Sequence, residues 1–91
     1  MTTRQKIDKL RKYVKEYVKY TRWKRVAVLY EPFTGMVIVT WYTVVKRADG
    51  GGEVQRHVQF TQRIFYANDL DERLTSYRNK INYAKKKEDA N

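Results

Sequence analysis

The chain contains no cysteine, which excludes disulfides, thiolate-bound metals and thiol nucleophiles together and leaves the redox compartment open. A single histidine, His57, rules out a His-based metal cluster as well, so neither a metal nor another cofactor is expected. Long hydrophobic runs are also missing. The longest, Met36 to Val39 resumed from Trp41 to Val45, is broken by Thr40 and Thr43 and falls far short of the roughly 20 residues that span a bilayer. The start, Met-Thr-Thr-Arg-Gln-Lys, runs into mixed charged and apolar positions instead of a continuous apolar segment. The expectation is therefore no signal peptide, no membrane and a cytoplasmic or otherwise intracellular location. Walker loops, dinucleotide fingerprints, EF-hands and zinc spacings are absent, as are internal repeats and linkers.

What is present is positive charge, and it is concentrated. Of the net +10, +8 falls within residues 1–25, where ten Lys and Arg stand against Asp8 and Glu16. At 100° per residue, Ile7, Leu10, Val14, Tyr17, Val18 and Thr21 line one arc of a helix, and Arg4, Arg11, Lys12, Lys15, Lys19 and Arg22 gather on the adjoining one. One side can pack while the other meets a polyanion. The cationic arc spans about 27 Å at 1.5 Å per residue, enough to follow several phosphates. Lys24 and Arg25 extend the set beyond the helix. Two other readings of the arc are a solvated face that serves solubility and a basic amphipathic helix on a membrane surface. The second conflicts with the need of a three-stranded sheet for an apolar cover.

The pattern of elements predicts one α+β domain over residues 1–91, ordered α-β-β-β-α, with a three-stranded antiparallel meander between two terminal helices. Thr2 or Thr3 caps a helix over about 3–22. Strands follow over about 25–31, 36–47 and 53–66. Pro32-Phe33-Thr34-Gly35 makes the first turn and Asp49-Gly50 a two-residue type I′ turn. Asn68 or Asp69 with Glu72 caps a second helix over about 69–85, leaving a frayed tail at 86–91.

Those two turns imply a register. Val26, Val28 and Tyr30 lie across from Trp41, Val39 and Val37, while Val45, Trp41 and Val39 face Val54, Val58 and Phe60. The predicted core face then takes Val54, Val58, Phe60, Ile64 and Tyr66 from the third strand. The opposite face carries Ile38, Tyr42, His57, Gln59, Thr61, Arg63 and Phe65. A longer loop through Gly50-Gly51-Gly52 would shift the third strand and undo this half of the assignment. Within that second face Ile38, Tyr42, His57, Gln59 and Arg63 are candidates either for stacking bases or for seating a second subunit.

Trp23, between Arg22 and Lys24-Arg25, either stacks on a base or plugs the end of the core. His57, Tyr42, Arg56 and Arg63 could in principle make a metal-independent ribonuclease, but strand alternation puts Arg56 on the face opposite His57. No catalytic residue is assigned. The element order resembles that of the double-stranded RNA-binding domain. That family contacts phosphates from a Lys-rich start to its second helix, where this chain has Asn68-Asp69-Leu70-Asp71-Glu72, so the resemblance stops at topology and carries over no binding residue. The expected function is non-enzymatic nucleic-acid binding, to DNA or RNA, with weak sequence selectivity. The alternative is a protein-interaction module, an accessory or inhibitory factor, that docks its basic helix on an acidic protein surface.

Overall fold

The computed structural model describes residues 1–48, 51–52 and 54–89. In chain order it contains α1 (Thr3–Tyr17), a 3₁₀ turn (Val18–Tyr20), β1 (Arg25–Glu31), β2 (Met36–Ala48), β3 (Val54–Tyr66), a second 3₁₀ turn (Ala67–Asp69) and α2 (Leu70–Asp89). The strands form one antiparallel meander in the order β1-β2-β3, and both helices lie on the same side of it, so the α+β architecture is the expected one.

Helix α1 begins with a reciprocal cap. The Gln5 N–H donates to Thr2 Oγ1 at 3.2 Å and the Thr2 N–H donates to Gln5 Oε1 at 2.8 Å, which satisfies two donors that the first turn leaves orphaned. Its apolar stripe, Ile7, Leu10 and Val14, is buried against the sheet. The α-helix stops at Tyr17, earlier than the hydrophobic spacing alone implies. Thr21 is the cause: extended at φ −117° and ψ 171°, it donates its hydroxyl to the Val18 carbonyl at 2.8 Å and accepts the Trp23 N–H at 3.1 Å. A threonine side chain that bonds the local backbone in this way competes with the helical ladder.

At the first turn Gly35 has φ +76°, and its N–H donates to the Glu31 carbonyl at 2.9 Å. The Glu31 carboxylate also accepts the N–H groups of Phe33 and Thr34, at 3.0 and 2.6 Å, and the Thr34 hydroxyl at 2.6 Å. The turn pins Glu31 opposite Met36, and with it Val26, Val28 and Tyr30 opposite Trp41, Val39 and Val37, as predicted.

The second hairpin corrects the predicted register. Ala48 pairs with Val54, leaving residues 49–53 between them, and the expected Asp49-Gly50 turn lies outside the described residues. Val45 faces His57, Trp41 faces Thr61 and Val39 faces Arg63. The offset from the predicted pairing is three positions, an odd number, so every β3 side chain changes face. The longer connection through the glycine run is what produces the shift. Phe65, not Phe60, is the aromatic that β3 adds to the core, at 4% exposure. Val54, Val58, Phe60, Ile64 and Tyr66 sit on the uncovered face, where Met36, Ile38, Tyr42 and Val44 oppose Tyr66, Ile64, Phe60 and Val58.

The core lies between sheet and helices. Val37 and Val39 are fully buried in one cluster with Ile7, Leu10 and Val14 of α1 and Leu70, Leu74 and Tyr77 of α2. Burying side chains of this size contributes about 1.5–3 kcal/mol each. A 3₁₀ turn, Ala67–Asp69, leads into α2, and its own N-cap Tyr66 makes no side-chain cap hydrogen bond. Helix α2 runs past Lys85-Lys86-Lys87 to Asp89, and the Lys85 ammonium meets the Glu16 carboxylate of α1 at 2.8 Å. A second tie between the helices joins Lys6 to Asp71 at 2.9 Å.

Candidate nucleic-acid interface

Because Ile7, Leu10 and Val14 face the sheet, Arg4, Lys12, Lys15 and Lys19 face solvent along the chain from α1 into its 3₁₀ turn. None of these four forms a salt bridge among the described residues, whose ion pairs are Lys6 with Asp71, Arg11 with Asp8 and Lys85 with Glu16. Arg4 to Lys19 covers about 22 Å of chain at helical rise. Four cations on one exposed face, with no carboxylate in salt-bridge contact among the described residues, make a surface that can displace the counterions condensed on a phosphate backbone.

The structure divides the rest of the predicted basic set. Arg11 is committed internally: its guanidinium meets Asp8 at 3.2 Å and reaches over the edge strand to the Val28 carbonyl at 3.4 Å, a long bond. It covers a carbonyl on the free edge of β1 and discourages strand addition there. Arg22 has left the helix, and its guanidinium stacks on the Trp23 ring, 4.5 Å from the centroid. Lys24 donates its N–H to the Tyr42 carbonyl at 2.8 Å to open β1. Arg25 pairs opposite Tyr42 and so belongs to the uncovered face of the sheet, away from α1.

At the C-terminal end of α1 the helix layer opens into a cleft of about 330 Å³ lined by Tyr17, Arg22, Trp23, Arg63, Tyr77 and Lys80, with Trp41 at its base. Tyr17, Trp41 and Tyr77 meet one another at 5.9, 6.1 and 6.3 Å between centroids, as edge contacts and one tilted pair. Burial raises the pKa of the Tyr77 phenol above its ordinary value, so it remains a neutral wall. Lys80 lies over the Tyr77 ring at 5.3 Å and Arg73 over the Phe65 ring at 5.1 Å. Arg63, Arg73, Tyr77 and Lys80 also line an adjoining cleft between β3 and α2. Aromatic walls with cations at the rim can hold an unstacked base and its phosphate.

Sequence reasoning missed most of this cleft. It placed Arg63 on the far face of the sheet with Ile38 and Tyr42, and the corrected register brings Arg63 under α2 instead. His57 and Gln59 move to the same side as Arg63, opposite Val45 and Thr43, so the proposed group of Ile38, Tyr42, His57, Gln59 and Arg63 does not share one face. Tyr42 and Arg56 are likewise separated by the sheet from His57 and Arg63, which takes apart the ribonuclease arrangement. One signal was available: Arg73, Tyr77 and Lys80 stand at i, i+4 and i+7 of α2, a cation-aromatic-cation stripe on one helix face. No group of three or more metal-ligating side chains occurs among the described residues. Comparison with protein-family models, with curated proteins and with solved structures finds no match.

Proposed function

We propose that this chain is a non-enzymatic nucleic-acid-binding protein of weak sequence selectivity. Its phosphate contacts come from Arg4, Lys12, Lys15 and Lys19, and its aromatic cleft receives a base from a single strand. The observation that carries the reading is the exposed cationic face of α1, where Arg4, Lys12, Lys15 and Lys19 form no salt bridge among the described residues. A surface of this kind binds through counterion release, without sequence information. Arg22, Arg63 and Lys80 around the cleft add cations next to aromatic walls, a pairing suited to bases that have left the stack.

Fluorescence anisotropy with labelled single- and double-stranded DNA and RNA tests the reading on nuclease-treated protein. Four to seven phosphate contacts predict a log-log salt slope between about −3 and −6, with single strands preferred because they can offer an unstacked base. If none of the four probes binds at low salt, the basic helix is left to an acidic protein surface as its partner.

A further inference from the structure

The helices cover only one face of the sheet. On the other, Leu29, Val58, Phe60 and Ile64 are 65%, 63%, 62% and 57% exposed, in a field of four apolar cross-strand pairs between β2 and β3. Between Met36 and Val45 strand β2 is apolar on both faces except at Thr40 and Thr43, one on each, close to the pattern of a strand covered on both sides. The Cα radius of gyration is 16.2 Å, whereas a compact chain of this length has about 12 Å. We propose that the open face seats a second copy of this chain, sheet against sheet, in a four-layer homodimer with the helices outermost. This inference does not depend on the nucleic-acid reading.

Charge on the face selects its occupant and the orientation. Glu31 marks the end at the first turn, Arg25 flanks the central Tyr42–Phe60 row, and toward the other end Lys46 and Arg56 stand directly opposite each other. Like charges in that position are unfavourable without an acid nearby. A two-fold axis between the sheets and perpendicular to the strands sets Glu31 of each copy over the cationic end of the other. An axis along the strands would instead stack the cations on each other. In the middle of the face the apolar pairs are interrupted by the Thr40–Gln62 pair, whose side chains bond each other at 3.4 Å. Stacked sheets lie about 10 Å apart, so the basic helices on the outside are separated by well over the Debye length of about 8 Å and their repulsion is screened. Strands of 13, 13 and 7 residues give a footprint of roughly 500 Å² per copy, and the roughly 1,000 Å² total reaches the size of a specific interface.

Sedimentation velocity on nuclease-treated protein in 0.5 M salt, from about 1 to 100 µM, tests this without nucleic acid bridging the copies. The expected species has twice the 11.0 kDa mass of one chain. Phe60→Glu should yield a monomer with an unchanged circular dichroism spectrum. Should that variant fail to fold, the milder Phe60→Ser should raise the dimer dissociation constant at least tenfold, and Arg56→Glu should weaken the dimer because it removes one charge of the end-to-end complement. A wild-type monomer at 100 µM overturns the proposal, and so does a dimer that folded Phe60→Glu or Phe60→Ser leaves intact.

Discussion

Glu31 shows how much one exposed side chain can organise. The Thr34 hydroxyl, followed by the backbone N–H groups of Phe33 and Thr34, holds its carboxyl below the ordinary carboxylate value. A pKa lowered in the folded state contributes stability above the unfolded value near 4.5, and that stability is lost as pH falls through the folded pKa. The protection factors of the Phe33 and Thr34 amides, taken against the intrinsic exchange rate at each pH, are therefore expected to fall on acidification. In Glu31→Gln that pH step should vanish, as read by NMR hydrogen exchange. The Glu16-Lys85 pair has two limits. The hydrogen bond from Lys85 lowers the Glu16 pKa, so its contribution is lost in acid; the same bond raises the Lys85 pKa, so that contribution is lost as pH rises beyond about 10.5. Burial makes the contrast with such surface ties. Leu10 has 0% exposure, and Leu10→Ala should cost about 2–5 kcal/mol in urea denaturation through lost transfer and cavity terms.

At the scale of elements, α1 divides its sides between packing and binding. Lys12, Lys15 and Lys19 replaced together by Glu should leave the circular dichroism spectrum unchanged, because all three are exposed and unpaired among the described residues. The same variant should lose nucleic-acid affinity and flatten the salt slope by about 0.9 for each duplex phosphate contact removed. Arg11 is unsuited to that test, since its replacement also uncovers the Val28 carbonyl. For the cleft, Trp23→Ala should weaken single-strand binding by about 1–3 kcal/mol, the value of one base stack, with much less effect on duplex. Much of this was legible in the sequence: Thr2 as one of two cap candidates, Ile7, Leu10 and Val14 as a buried stripe, and Gly35 as the residue that fixes the first hairpin. The side of the sheet that β3 presents was not. Val54, Val58, Phe60, Ile64 and Tyr66 do alternate cleanly, but β2 is largely apolar on both faces and accepts that stripe on either. Only the length of the second connection decides between them, and a run of three glycines sets no length. The cleft was hidden for the same reason, because Arg63 reaches it only in the corrected register.

For the whole molecule, the two proposed surfaces lie on opposite sides of one sheet. A face-to-face dimer would carry a cationic helix layer on each outer side and could hold two nucleic-acid strands at once. A bead-bound oligonucleotide should then capture a second, labelled one through the protein. Phe60→Glu should abolish that capture yet keep binding to a single oligonucleotide, since Phe60 is remote from the helix layer. The central claim concerns phosphate recognition by α1. Its most direct test is the anisotropy salt titration of wild type beside the Lys12, Lys15 and Lys19 triple Glu variant. The account predicts binding that weakens linearly in log salt, and a variant with lower affinity and a shallower slope. Equal affinity and slope in the two proteins would contradict it and remove α1 from the interface.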